Sequence, residues 1–404
     1  MTTNTLSVID FVAREALRVA HEELKFLKTI DRQYDDQFAK TGAKIGSALR
    51  VRNPNEFTRR QGSRIMDVQD IDEAVTTITV ATQDGVDMRF NSAELSLAAE
   101  SKEAFSAFSE RYIDPAVSVL VSGIESDMIA KFSKAIYNLV GTAGTVVGTD
   151  GNIEALGLAR AALNRNLAPK DSMRAVQLDS ITMAKIVNGT KSLFQDSTQI
   201  KEAFREGFIS RNAMADWYEN ERTWTLTNAG DVAGNINSGT IADGMVAATV
   251  NNFSAAPTEG MVFTIASVNA VHPETKADTG QLQQFVVGVG STTTNLVFTP
   301  AIYATGAKKN VTALPGTTAA ITFHGSASTA YRQNIMYHRD AFAFVTADLP
   351  LMAGADKCVR REMDGLSLRV WSDGDIRNDE LLCRIDILYG GAAIRPAWGC
   401  RISN

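Results

Sequence analysis

The sequence predicts an α+β protein with an all-β domain inserted between two stretches of mixed chain, and three observations predict it. Residues 115–140 (PAVSVLVSGIESDMIAKFSKAIYNLV) place Val117, Leu120, Val121, Ile124, Met128, Phe132 and Leu139 at helical spacing along one apolar stripe. Such a helix would run about 39 Å at ~1.5 Å per residue, the width of a small domain. Residues 223–330 change character: they hold eight charged residues in 108, against about a quarter elsewhere, and Thr, Ala, Gly, Val and Asn dominate. Mixed chain resumes at Tyr331, so the low-charge stretch reads as an insertion and not as a C-terminal domain.

From the N-terminus, Leu6, Ile9, Ala13, Leu17, Ala20, Leu24 and Leu27 mark an amphipathic helix, with Thr5 or Ser7 placed to cap it. It must dock on its own domain or on a neighbour. Residues 31–73 are rich in Arg, Lys, Asp and Gln, and their apolar residues (Tyr34, Phe38, Ile45, Leu49, Val51, Phe57, Ile65) are scattered. That is too little apolar surface for a core, so the segment is either disordered or an extended limb that finds burial on another surface. Residues 74–90 read as a hairpin, Val75–Val80 and Val86–Phe90 being strands about an Asp84-Gly85 turn. Residues 91–112 read as helical and lead through Asp114-Pro115 into the long helix, where Pro115 suits a first turn. Val119 and Ile129 fall off its main stripe, and Gly141–Gly144 reads as its stop.

Beyond it, residues 152–167 predict a helix, 173–178 a strand, 181–188 a helix started by Asp179 or Ser180, and 198–206 another helix. Within the insert, strands are expected at 245–250, 261–268, 285–289, 296–299 and 320–324, with Pro257, Pro273, Pro300 and Pro315 between them. The pattern is that of a small barrel or sandwich able to fold on its own. From Tyr331, strands are expected at 341–345, 366–371, 381–389 and 393–402, with a turn at Asp373-Gly374. Arg384 and Asp386 alternate with Cys383, Ile385 and Ile387, as in a strand with one solvated face.

The bulk composition excludes several classes. A chain of 404 residues, 45% hydrophobic and 21% charged, has a globular balance. Its formal net charge of -6 lacks the basic surplus of a protein that neutralises many phosphates. Cys358, Cys383 and Cys400 form no Cys-x-x-Cys and are odd in number, which points to free thiols in a reducing cytoplasm. No signal peptide is expected, since Asp10 and Glu15 stand where one is apolar, and no apolar run reaches the ~18–20 residues that span a bilayer.

Chemistry is equally hard to find. His21, His272, His324 and His338 lie in four segments without ligand spacing. Tyr337-His-Arg-Asp340 copies the letters of a kinase catalytic loop, but the following Asn, a Gly-rich loop and a metal-binding DFG are missing; a polar strand entrance is the plainer reading. GTAGTVVGTDG at 141–151 lacks Gly-Lys-Ser/Thr and follows a helix, not a strand, so a mobile loop is expected. No catalytic, cofactor-binding or metal-binding residue is therefore assigned. Within the limb, Arg50, Arg52, Arg59, Arg60 and Arg64 stand near Asp67, Asp70, Asp72 and Glu73. That mixture fits charge complementarity across an interface better than paired catalytic carboxylates, and these nine residues are the candidate inter-subunit contacts. A large chain without visible chemistry, carrying a charged limb, points to a self-associating structural protein.

The C-terminal run Leu382-Cys-Arg-Ile-Asp-Ile-Leu-Tyr389-Gly-Gly-Ala-Ala-Ile-Arg395-Pro396 resembles the end of the major coat proteins of short-tailed (podovirus) bacteriophages, which carry a Cys-Arg-Ile strand, a Tyr-Gly turn and an Arg-Pro pair in that order. Ala341–Leu349 followed by Pro350 is similar to that family's strand into a Leu-Pro element, and the order of parts agrees over the chain. The resemblance implies the tailed-phage major capsid protein fold, shared with the herpesvirus capsid floor and encapsulin shells. It implies an N-terminal arm helix at 1–30 and an extended loop with hairpin at 31–90, of which residues 42–90 lie over an adjacent subunit. A peripheral domain with the spine helix at 91–151 follows, then an axial domain from 152–222 and the C-terminal strands of 331–404, around an inserted β domain at 223–330. It further implies hexamers and pentamers in an icosahedral shell around double-stranded DNA, assembled in the host bacterial cytoplasm. A portal protein is expected, as is a separate scaffolding protein, because the chain starts directly at the arm helix; chemical cross-links and membrane contact are not. An encapsulin-like compartment is the alternative on the same fold, and a hydrolytic enzyme with an unrecognised site the remote one.

Overall fold

A computed structural model describes residues 8–32, 48–60, 62, 65–66, 68–69, 73–91, 109–149, 153–190, 215–230, 233–237, 241–352, 354, 357–363, 366–375, 377–378 and 380–404. The helix expected at 198–206, the caps Thr5 and Ser7, and most of the helix expected at 91–112 lie outside these residues. The chain divides into two compact units, one of residues 1–51, 76–128 and 342–392, the other of 52–75, 129–341 and 393–404.

In the first unit, helix α1 (Val8–Glu23) buries Ala13, Ala16, Leu17, Val19 and Ala20. It packs on strands β15 (Lys357–Met363) and β16 (Leu366–Asp375), so it docks within its own unit. The chain leaving α1 is fixed by a buried carboxylate. Glu125, on the long helix α2 (Asp114–Ala135), accepts the backbone N–H of Lys25 at 2.9 Å and that of Phe26. Two backbone donors thereby replace the water the carboxylate gives up. The expected stripe of α2 is buried at Val117, Leu120, Val121, Ile124, Met128 and Phe132; of the two residues off it, Ile129 is buried and Val119 exposed.

The helix ends earlier than expected. Ile136 N–H turns back to the Ser133 carbonyl, and Leu139–Val140 forms a short strand, β3, parallel to β18 (Gly399–Ser403). The Asn138 amide donates to the Ala397 and Gly399 carbonyls at 3.0 and 2.9 Å, so strand pairing wins over a further helical turn. Gly141 caps no helix. At φ 94°, a Cβ there would lie 2.7 Å from the Ser403 carbonyl oxygen, and one on Gly148 would lie 2.6 Å from the Ile186 nitrogen. The described part of the loop expected to be mobile is thus packed at both glycines.

The sheet of the first unit runs β1 (Ala48–Arg52), β2 (Val75–Asn91), β17 (Glu380–Ala393), β16, β15, with β14 (Phe342–Ala347) also on β17. The expected hairpin at 74–90 is one continuous strand: β2 pairs with β17 from Asn91↔Glu380 to Val80↔Gly390. Gly85 sits mid-ladder opposite Asp386, where a Cβ would come 2.5 Å from Asp386 Oδ1 and 2.8 Å from the Ile385 carbonyl. Its glycine serves close approach, not a turn. Asp84 accepts the Tyr389 hydroxyl at 2.6 Å. Asp373-Gly374 likewise lies inside β16, paired with Leu382 and Leu381. The turn comes later, where Asp375 accepts the N–H of Arg377 at 2.9 Å and the amide of Asn378 at 2.8 Å. Asp386 is not on a solvated face. It is fully buried, with Arg369 at 2.6 Å and Arg384 Nε at 2.7 Å supplying the counter-charge that burial demands.

The second unit holds a sheet ordered β3–β18–β13 (Ala330–His338)–β4 (Arg174–Leu178)–β5 (Asp216–Glu219), with β6 (Trp224–Thr227) also on β13. Helices α3 (Glu154–Arg165) and α4 (Ser180–Thr190) cover it. Asp179 starts α4, accepting the Thr182 N–H and hydroxyl. The insert forms a closed barrel of β7 (Gly234–Ile236), β8 (Met245–Asn251), β9 (Val262–Val271), β10 (Asp278–Val287), β11 (Asn295–Ile302) and β12 (Ala320–Phe323), in the order β10–β11–β8–β7–β12–β9. Phe263, Phe285 and Phe298 fill it, with centroids 5.4 to 6.1 Å apart. Pro300 lies within β11 and not between strands; it sits where the register with β8 shifts between Val297 and Ile302, a place that needs no donor. Trp224–Thr227 pairs with β13 while Trp224 and Leu226 pack into the barrel core.

The barrel is tied to the sheet by polar contacts. Gln284 acts as a surrogate peptide group: its side-chain amide accepts the Leu139 N–H and donates to the Leu139 carbonyl, both at 2.8 Å. The buried Arg401 guanidinium donates to the Gly260 carbonyl at 2.7 Å, and Lys134 pairs with Glu259 at 3.0 Å.

Replacing Glu125 by Ala removes the acceptor shared by the Lys25 and Phe26 N–H groups and should cost about 2 kcal/mol in urea unfolding, while Glu125→Gln, which still accepts, should cost less. Gly85→Asn, which a tight turn would welcome, should destabilise as much as Gly85→Ala, by roughly 1–3 kcal/mol, because either Cβ strikes the opposing strand.

Candidate assembly surface

The region that the sequence singled out is built as a ribbon with a loop at its end. Strands β1 and β2 pair, and Asn53 N–H donates to the Ala74 carbonyl at 2.9 Å where the strands part. Here Arg52 and Glu73 form an ion pair at 3.3 Å, both side chains at least half exposed. Further out, Gln69 clamps Thr58 at two points, accepting its N–H and donating to its carbonyl, each at 2.8 Å. Arg60 donates to the Ile65 carbonyl. Among the described residues, these contacts join polar groups of the loop to one another.

Its large apolar side chains among the described residues are not buried. Phe57, Ile65, Met66 and Val68 are 59, 80, 77 and 77% exposed. Four large apolar residues exposed on one loop make it the candidate for a contact surface. Sequence reading noted Phe57 and Ile65 only as scattered apolar residues and missed Met66 and Val68. The signal was present as apolar residues without period in a charged run.

Of the nine expected contact residues, Arg50, Arg52, Arg59, Arg60 and Glu73 are exposed on this ribbon and loop. Arg64, Asp67, Asp70 and Asp72 lie outside the described residues. The geometry brings Arg52 and Glu73 together within the chain.

Elsewhere, His338, Cys383 and Cys400 are packed into the interior. His338 is buried at the end of β13, its Nε2 3.1 Å from Asp171 Oδ1, its Nδ1 accepting the Asp340 N–H at 3.2 Å, and its ring edge-to-face with Trp398. Cys383 and Cys400 are buried, and burial pushes their thiols up to about 11 and about 12, so neither is a thiolate at neutral pH. Among the described residues no group of three or more His, Cys, Asp or Glu side chains could hold a metal ion. No helix among them is long and apolar enough to cross a membrane.

No curated protein matches the chain. Solved structures similar to it include that of Mycobacterium phage Che8, 11% identical, with a TM-score of 0.48 over 94% of this chain and 90% of that one. The capsid of the Myoviridae phage XM1 is 8% identical, with a TM-score of 0.41 over 94% and 91%. The CUS-3 coat protein I-domain is 33% identical, with a TM-score of 0.17, and covers 24% of this chain and 92% of that one. The family described as P22 coat protein, gene protein 5, matches residues 1–403. Matched over that whole length, the chain belongs to the P22 coat protein family.

Proposed function

We propose that this chain is the repeating subunit of an icosahedral shell, built of hexamers and pentamers, in which the loop at 53–74 of one subunit lies on the next. The chain is a major capsid protein, and its place is the virion capsid. The observation that carries the proposal is the coat-protein family match over residues 1–403; it favours a genome container over a cargo compartment and a structural role over catalysis. The loop is the part of the described chain best suited to the subunit contact. Burying Phe57, Ile65, Met66 and Val68 against a neighbour contributes about 1.5–3 kcal/mol for each side chain fully covered. The exposed ion pairs of the ribbon add only ~0–1 kcal/mol each and set register more than strength. One such contact is weak, since about 4 kcal/mol corresponds to a millimolar dissociation constant. Several per subunit close a stable shell that still corrects errors as it grows.

In this reading a separate scaffolding protein directs assembly in the host bacterial cytoplasm, a portal protein occupies one opening, and the shell encloses double-stranded DNA without reading its sequence. A net charge of -6 suits a wall that does not adhere strongly to that DNA.

Ile65→Asp and Val68→Asp, each expressed with the scaffolding protein, should leave a monomer that melts as the parent does but forms no closed shells in electron micrographs. Charge reversal at Arg60 should impair shell formation in the same assay without unfolding the monomer. Normal shells from both aspartate variants would overturn the assignment of the loop.

A further inference from the structure

The loop is not independent of the inserted barrel. On the barrel, β9 and β10 meet in a turn held from within. His272 N–H donates to the Ala277 carbonyl and Lys276 N–H to the His272 carbonyl, each at 2.9 Å, and His272 Nδ1 accepts the N–H groups of Glu274 and Thr275. Val271 N–H is bonded to the Asn310 carbonyl, joining this turn to the segment after β11. Lys276 emerges from it with its side chain only 16% exposed, its Nζ donating to the Lys309 carbonyl at 3.2 Å. That same Nζ lies 3.3 Å from Glu56 Oε2, at the base of the loop. Glu56 stands two residues before Thr58, where the Gln69 clamp begins. Its charge also reaches Tyr137, whose hydroxyl is pushed up by burial and by this carboxylate. One acidic side chain of the loop thus meets a lysine that the barrel has already oriented.

We propose that Lys276 is a positioning residue for assembly: by holding Glu56, the inserted barrel fixes the base of the loop in the pose in which its apolar tip meets a neighbouring subunit. This rests on the reading of the loop as the subunit contact. An ion pair with Glu56 more than half exposed adds little to stability, so its effect falls on geometry and not on folding. The neighbour receives a loop whose base is already ordered, which lowers the ordering cost of each contact.

A charge swap tests this in the full chain coexpressed with the scaffolding protein, with closed shells counted in micrographs and the monomer melt recorded for each variant. Lys276→Glu and Glu56→Lys should each reduce closed shells about tenfold at an unchanged melting temperature, because a small bias per subunit multiplies over a shell. The double variant, which restores opposite charges in reverse order, should recover shells to within about twofold of the parent. Lys276→Gln, which keeps a donor for the Lys309 carbonyl, serves if Lys276→Glu does not fold, and should fall between. Parent-like assembly by the single variants, or no recovery in the double, would overturn the proposal. Ile65→Asp separates the two ideas: if it assembles normally, the loop itself is misassigned; if it is blocked while the swap fails, only the role of the barrel falls.

Discussion

The antiparallel ladder between β2 and β17 is the constraint from which the first unit is built. It joins residues 80–91 to residues 380–390, and the two backbones approach closely enough that neither strand tolerates a side chain everywhere. Gly85 meets the Ile385 carbonyl and Asp386, and a Cβ on Gly390 would lie 2.2 Å from the Thr79 carbonyl oxygen. Closeness of this kind excludes water, and the charges caught in it must be matched. Asp386 is, by Arg369 and Arg384. A buried pair of this sort is a poor source of net stability but an expensive one to break, so it favours a single register over slipped ones. β2, the strand that follows the loop at 53–74, is therefore held in one register.

In the loop at 53–74 the balance differs. Arg52 with Glu73, Thr58 with Gln69 and Arg60 with Ile65 satisfy polar groups locally, while the large apolar side chains at the end stay in water. The arrangement is the one the proposed subunit contact requires, a chain soluble alone that adheres once many copies gather. In the proposed contact, local polar closure limits the entropy lost and the apolar side chains supply the attraction.

Much of the fold was legible because it rests on patterns that local chemistry enforces. The stripe from Val117 to Phe132, the Asp179 start of α4 and the low-charge strands of the barrel all answer to periodicity, capping and composition. What misled were signals with two physical meanings. Asp84-Gly85 and Asp373-Gly374 spell turns, yet in both places the ladder runs straight through, and at Gly85 the missing Cβ admits an opposing strand. Asp386 spells a solvated face, because its partner Arg369 lies on another strand that no local window includes. Leu139 continues the helical stripe in sequence, but β18, at the far end of the chain, draws it into a sheet. The charged character of the loop was readable; its apolar end and its lysine partner on the barrel were not, since both depend on contacts between distant segments.

The amide of Gln284 carries one more implication. β3 is the last strand of its sheet, and the N–H and carbonyl of Leu139 that face away from β18 are taken up by that single side chain. An unguarded rim there would invite a stranger's backbone, and a molecule crowded among its own kind would meet such strangers constantly. By sealing the rim with a residue from its own barrel, the chain leaves no open backbone pair at Leu139 for another strand to join.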